Sequence, residues 1–179
     1  VGRALKPLCY TLLLEEAHKN YTVQTGPGRE ADDVMGILAT RPSKGKVEYI
    51  VVSQDKDMKT VPCTVWNGEH LVTYSKHEAD YNWLKQTLTG DKTDGYRGCP
   101  GMGAVTAVKL LDKVIESETT LFVESAWPKV VEAFTKKGLT EEDALLQARF
   151  ARILRHSDWD AEKKEPILWT PVSKGAHVW

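Results

Sequence analysis

Cysteine is scarce: Cys9, Cys63 and Cys99 are the only three in 179 residues, and no two of them form a CxxC pair. That scarcity excludes a disulfide framework and a cysteine zinc site, and points to a reducing cytoplasm. No apolar run approaches the ~20 residues needed to span a bilayer, and no secretory signal is recognisable, so no membrane partner is expected. Internal repeats and low-complexity segments are lacking as well. An excess of one charge is also missing, since the net charge is −1. The first residue is Val1, with helix-like sequence close behind it, and the expectation is a fragment, a processed product or one part of a split protein.

What is present is ordinary in bulk and uneven in distribution. Hydrophobic residues make up 41% and charged residues 27%, as in a globular domain large enough to bury a core. Leu5 to Ala17 reads as a helix with Leu8, Leu12 and Leu13 among its apolar positions. Tyr21 to Thr25 has strand composition. Ala31, Val34, Ile37 and Leu38 make the buried stripe of a second helix that Arg41-Pro42 ends. Lys46 to Ser53 is a β-branched and aromatic run expected to be a central parallel strand buried on both faces. Val61 to Trp66 is a second strand, Asn67-Gly68 a turn, and His77 to Leu88 a helix. From Gly90 onward the pattern is helical, with a break or bend at Pro128 and a capping box at Thr140-x-x-Asp143. The expected fold class is α/β, a partial parallel-sheet core followed by a helical extension. Its expected divisions are residues 1–90, 91–158 and 159–179.

Seven of the 25 acids fall in three clusters: Glu30, Asp32 and Asp33; Asp55 and Asp57; Asp91 and Asp94. Outside them the chain carries 18 acids against 24 Lys and Arg, about +6, enough to meet phosphate if cations neutralise the clusters. Glu30 and Asp33, three apart, share a helical face. Asp55 and Asp57, two apart on extended backbone, point the same way, and Asp91 and Asp94 repeat the helical spacing. Each cluster has a plain alternative: macrodipole complementation for the first, solvated turns for the others. Three in order at the ends of α/β elements favour hard cations. Two Mg²⁺ or Mn²⁺ ions ~3.5–4 Å apart are a recurring device for phosphodiester cleavage, one activating water and the other stabilising the leaving oxygen. No histidine or cysteine adjoins the clusters, which disfavours zinc.

Directly after "GDKTD" comes "GYRGCPGMGAVTAVKLL", where Gly98, Gly101 and Gly103 allow a tight hairpin and the next helix presents free amides. Taken together, "EADD", "SQDKD" and "GDKTDGYRGCPGMG" resemble the flap endonuclease/5′-exonuclease superfamily. The tail "GLTEEDALLQARFARILRH" followed by "ILWTP" is similar to the 5′→3′ exonucleases of T-odd bacteriophages. The resemblance runs from about Val1 to Pro171. It implies a metal-dependent nuclease that trims duplex 5′ ends and cuts flapped, nicked or branched DNA, in phage replication within a bacterial host. It further implies Glu30, Asp32, Asp55 and Asp57 as inner ligands and catalytic residues, Asp33 as an added acid, and Asp91 and Asp94 at the second ion. Gly98 to Gly103 match a helix–two-turn–helix whose carbonyls hold K⁺ against phosphates, so Gly98, Gly101, Met102, Gly103 and Lys109 are the implied DNA contacts. The family's first strand, its aspartates and its basic arch have no counterpart here. The resemblance therefore covers the C-terminal part, and a non-catalytic DNA-binding subunit completed by a separate N-terminal partner is the alternative. A ribonuclease of the PIN-domain type is a further rival, disfavoured by the glycine hairpin.

Arg149, Arg152, Arg155 and His156 lie at helical spacings and suit either phosphate contacts or a solvated basic face, as do Lys136 and Lys137. Most of the six tryptophans read as packing residues, Tyr96 is a weak candidate for a DNA contact, and "PVSKGAHVW" reads as a mobile tail.

Overall fold

The computed structural model describes residues 6–24, 28–43, 48–115 and 122–171. The final "PVSKGAHVW" lies almost wholly outside them, as do Thr25 and residues 119–121. Six helices and a small sheet are described: α1 (Tyr10–Asn20), α2 (Ala31–Ala39), β1 (Ile50–Val52), a 3₁₀ turn (Lys56–Thr60), β2 (Thr64–Trp66) and β3 (Leu71–Thr73), then α3 (Lys76–Thr89), α4 (Ala104–Ile115), α5 (Phe122–Thr135) and α6 (Glu141–Phe150). A second 3₁₀ turn (His156–Asp158) leads into the hairpin β4 (Trp159–Asp160) and β5 (Glu165–Pro166). The class is mixed α/β. Among the described residues no helix is long and apolar enough to cross a membrane.

The sheet runs β1-β2-β3, with β1 and β2 parallel and β2 and β3 antiparallel. Expected strand β1 is present but short, and it is not buried on both faces. Val51 points inward while Ile50 and Val52 are 51% and 71% exposed, because β1 is an edge strand of the described sheet and its outer face is uncovered. β3 has no counterpart in the sequence reading. It forms because Asn67 closes a turn, its side-chain oxygen accepting from the amides of Glu69 and His70 at 3.0 and 2.8 Å, and Gly68 adopts φ +100°. Residues 21–24, expected to begin a strand, are irregular.

Two apolar clusters hold the molecule. Val51, Met58, Val61, Cys63 and Val65 pack with Ile153 beneath the sheet. The larger cluster joins α3, α4, α5 and α6 through Trp83, Leu84, Leu88, Leu111, Trp127, Val130 and Phe134. α3 is its axle, started by a reciprocal Ser75/Glu78 capping box and packed against each of the three later helices. The buried indole of Trp83 donates to Ala148 O at 2.8 Å, so its polar edge is satisfied inside the core. Trp169 reaches back from beyond β5 to sit edge-on to Trp83 and Trp127 at 4.8 and 4.9 Å.

Three further expectations change. α5 runs unbroken through Pro128, because Ala126, Trp127, Val130 and Phe134 on the same helix are all buried and their packing outweighs one lost amide. α6 starts at the Thr140/Asp143 box as expected but stops at Phe150, short of His156. Its continuation is irregular because Arg152 and Arg155 are recruited inward rather than forming a solvated face. Arg152 pairs with Asp158 at 2.8 and 3.2 Å, and Arg155 bonds Asp80 at 2.7 Å and Thr60 O at 2.8 Å. α1, finally, starts at Tyr10 and runs to Asn20, with no buried residue, and Leu8, Leu12 and Leu13 are exposed.

Candidate metal centre and nucleic-acid interface

The turn between α3 and α4 brings the third acidic cluster into place. Asp91 and Asp94 do not share a helical face; they lie on a tight loop closed by a two-way backbone bridge between Asp91 and Tyr96, at 3.0 and 3.1 Å. The loop exists because two glycines cross beside it. At Gly98 (φ +63°) an added Cβ would meet Gly90 N at 2.3 Å and Leu88 O at 2.6 Å, so nothing larger than glycine fits. Gly98 N also donates to Gln147 Oε1 at 2.8 Å, tying the crossing to α6.

Asp55 has extended backbone as expected, but Asp57 lies within a 3₁₀ turn, so the two do not share one extended run. Asp55 caps the first 3₁₀ turn, its carboxylate accepting from Asp57 N at 2.8 Å, and that turn aims Asp57 toward the α3–α4 loop. Asp57, Asp91 and Asp94 converge so that one oxygen from each lies within 4.8 Å of the others, close enough for a single cation.

The first cluster faces the same space. Glu30, Asp32, Asp33, Asp55, Asp57 and Asp94 all line one cleft of ≈ 520 Å³, together with Gln86, Tyr96, Arg149 and Phe150. Asp33 serves the fold within it: one oxygen accepts from Glu30 N at 3.2 Å and the other from Leu154 N at 3.0 Å, anchoring α2 to the segment after α6. Arg29 lies over the Trp159 ring at 4.4 Å and steadies the entry to α2.

Charge in the cleft is unevenly borne. Burial pushes the carboxyls of Asp32 and Asp57 above the ordinary aspartate value. The Asp33 and Glu30 charges add to the effect at Asp32, and the Asp55 charge does so at Asp57. Asp91 behaves oppositely. Its oxygen lies 2.6 Å from Lys56 Nζ, and that hydrogen bond, with a second from Thr93 N, holds the carboxyl down at about 2. Lys56 thus neutralises one carboxylate where six others crowd.

Two neutral groups complete the cleft. Among the described residues, the hydroxyl of buried Tyr96 and the Oε1 of Gln86 lack a well-aligned hydrogen-bond partner, although the Gln86 side chain lies against the Tyr96 hydroxyl and both lie among the carboxylates. Burial, then the Asp57 and Asp91 charges, push the Tyr96 phenol well above its ordinary value, so it stays protonated as a donor. Unsatisfied buried polar atoms cost stability and mark a place for an additional ligand. With an all-carboxylate donor set around them, the residues fit a hard divalent cation.

The sequence reading did not single out Gln86, and it placed Tyr96 beside DNA rather than among the acids. The signal available was Tyr96's proximity to Asp94; the bridge that turns it inward is not visible in spacing. The remaining expected contacts lie elsewhere. Met102 and Lys109 line a groove of ≈ 600 Å³ between α4 and α5, shared with Lys113, Lys129, Lys136 and Lys137. Gly101, in the turn just before α4, lies beside Lys137 Nζ.

The described structure thus combines a mixed α/β architecture, an acidic cleft in which three carboxylates could share a cation, and a groove rimmed with lysines. Comparison with known proteins narrows this. The chain is 35% identical over 199 aligned residues to the exodeoxyribonuclease of Enterobacteria phage T3, covering 94% of the chain and 65% of that protein. It is 34% identical to the exonuclease of Escherichia phage T7, over 93% of the chain and 64% of the relative, and 31% identical to a 5′-3′ exonuclease of Halalkalibacterium halodurans, over 80% and 52%. No family model and no solved structure matches. These similarities support a relationship to the flap endonuclease/5′→3′ exonuclease superfamily, and the chain spans just under two thirds of the length of the two phage relatives.

Proposed function

We propose that the protein is a metal-dependent nuclease that removes nucleotides from duplex 5′ ends and cuts flapped or branched DNA. The observation that carries this reading is the convergence of Asp57, Asp91 and Asp94 within reach of one cation, beside the buried Tyr96 hydroxyl. Relatives named as exonucleases support the substrate class. Glu30, Asp32, Asp55 and Asp57 would hold one Mg²⁺ or Mn²⁺, and Asp91 and Asp94 a second. Bound there, such ions supply an acidified water and charge neutralisation at the phosphodiester.

The chain's own groups do the positioning. Lys56 keeps Asp91 ionised and oriented. Tyr96, held by its bridge to Asp91, offers a neutral hydrogen-bond donor into the cleft. Lys109, Lys113, Lys136 and Lys137 suit duplex phosphates, and the carbonyls of residues 98–103 would seat K⁺ against the same backbone.

The test is Mg²⁺- and Mn²⁺-dependent cleavage of a 5′-labelled flapped duplex, beside an Asp57→Ala/Asp94→Ala variant, with Mn²⁺ affinity measured calorimetrically for both. Cleavage and tight Mn²⁺ binding, both lost in the variant, are expected. Where the chain binds the flap without cutting it, the N-terminal segment of a relative added in trans reveals an incomplete site. Inert protein with unchanged Mn²⁺ affinity in the variant, even in that mixture, overturns the proposal.

A further inference from the structure

The cleft has a second wall, unlike the first. The same cleft is lined by Arg149 and Phe150, in the last turn of α6, by Pro166 at the end of β5 and by Leu168 from the strap beyond it. Phe150 and Leu168 are 59% and 56% exposed. Phe150 belongs to neither buried cluster, and much of it meets water.

This wall is nevertheless held in place. Arg149 Nε donates to Trp169 O at 3.1 Å, and Trp169 is wedged edge-on between Trp83 and Trp127. The Phe150 ring lies nearly parallel to Tyr96, with centroids 6.1 Å apart and planes 22° apart. Tyr96 is bridged to Asp91, so the aromatic face is geared to the carboxylate loop.

Arg149 is the odd member of its segment. Arg152 and Arg155 spend their guanidinium groups on buried carboxylates, whereas Arg149 makes no ion pair among the described residues, although six carboxylates line the same cleft. Among the described residues only its Nε is engaged, and neither terminal nitrogen has a partner there. A planar guanidinium fixed at one nitrogen and open at two is suited to grip a phosphate at two oxygens. An exposed ring on the adjacent residue is suited to stack on a base, whatever the base's identity.

We propose that Arg149 and Phe150 form a nucleotide-holding wall: the guanidinium takes a phosphate of the nucleotide at the cleavage point, and the Phe150 ring stacks on that nucleotide's unpaired base. This rests on the nuclease reading above. It goes further by naming the two residues that would hold the nucleotide being released, one at its phosphate and one at its base. Stacking without base-edge contacts makes the hold indifferent to sequence and sensitive to how firmly the end is paired.

Two readouts test it, both with the full chain. Duplexes carry 2-aminopurine as the 5′-terminal base, and its fluorescence is followed on binding in Ca²⁺; single-turnover cleavage is followed in Mg²⁺. The expected result is a fluorescence change with the wild type that Phe150→Ala abolishes and Phe150→Trp restores. Phe150→Ala also slows cleavage about tenfold on paired ends and far less on ends with a mismatched terminal base. Arg149→Ala slows cleavage about a hundredfold with duplex affinity nearly intact, and Arg149→Lys recovers part of the rate. Thermal melting of each variant reports whether the Trp169 strap stays docked. If wild type cleaves while both alanine variants stay within twofold of it, or Phe150→Ala leaves the fluorescence change intact, the wall has no such role and the nuclease reading stands. If wild type neither cleaves nor alters the fluorescence even with the N-terminal segment of a relative added, and its Mn²⁺ affinity matches that of Asp57→Ala/Asp94→Ala, both readings fall.

Discussion

Replacing Gly98 with alanine perturbs the one backbone crossing on which the carboxylate geometry depends. The new Cβ would stand 2.3 Å from Gly90 N and 2.6 Å from both Leu88 O and Thr89 C. These are main-chain atoms, so no rotamer change relieves the overlap; α3's end and the loop must part. The positive φ alone costs an alanine about 1–2 kcal/mol. Forcing packed segments apart adds roughly 1–3 kcal/mol. The hydrogen bonds Gly98 N to Gln147 Oε1 and Cys99 N to Leu88 O, both 2.8 Å, are weakened as well. Together the loss is roughly 3–5 kcal/mol, which for a chain of this size corresponds to a fall in Tm of ~6–20 °C. Gly101 supplies the internal control. It too has positive φ, +75°, but an added Cβ there meets only the flexible end of Lys137 at 3.7 Å. Gly101→Ala should therefore cost only the conformational part, about 1–2 kcal/mol. Urea denaturation of both variants, with Mn²⁺ titration of the folded proteins, makes the comparison. Equal destabilisation by the two substitutions refutes the clash argument. Full stability loss at Gly98 with unchanged Mn²⁺ affinity refutes the claim that the crossing holds the site.

Asp80 is 3% exposed and faces Arg155, which is itself 6% exposed. Asp80→Ala strands that guanidinium, and denaturant unfolding should report a loss of roughly 3–5 kcal/mol. A variant that removes both partners with apolar replacements should recover much of it. The raised carboxyls of Asp32 and Asp57 give a second expectation. Their folded values lie above the ordinary 3.8, so their contribution to metal-free stability is full below pH 3.8 and is lost as pH rises through the raised values. Asp32→Asn should therefore stabilise the metal-free protein at neutral pH and do nothing near pH 3, as read by thermal melting. Mg²⁺ should raise the Tm of wild type at neutral pH and lose that effect as these two groups protonate. Asp91 runs the other way: its contribution is present above 3.8 and is lost only as pH falls toward about 2. For the lysine groove, Lys136→Ala/Lys137→Ala should reduce the slope of log K against log salt for duplex binding by about 2, roughly equally across sequences. An unchanged slope would move the duplex away from the α4–α5 groove.

The sequence by itself determined the start of α6 and the identity of the acids. Thr140-x-x-Asp143 carries its capping chemistry within four residues and forms as expected, and the Ser75-x-x-Glu78 box, which the sequence reading passed over, acts over the same short range. "EADD", "DKD" and "GDKTD" were legible because crowded carboxylates have few explanations, and the order of the three motifs was enough to point to the superfamily. Local spacing did not reveal how those acids are aimed. The helical spacing of Asp91 and Asp94 suggested a shared helix face, whereas a bridge to Tyr96 and a glycine crossing between residues 90 and 98 make the loop that presents them. Arg149, Arg152 and Arg155 looked alike in sequence and were sorted only by what lay opposite each: open cleft, Asp158 and Asp80. The physical reason is range. Capping and turn chemistry act within a few bonds and can be read along the chain, but an ion pair between residues 80 and 155 depends on which surfaces the core brings together. The tertiary structure alone decided which acids lie close enough to share a cation, and which of these three arginines makes no ion pair among the described residues.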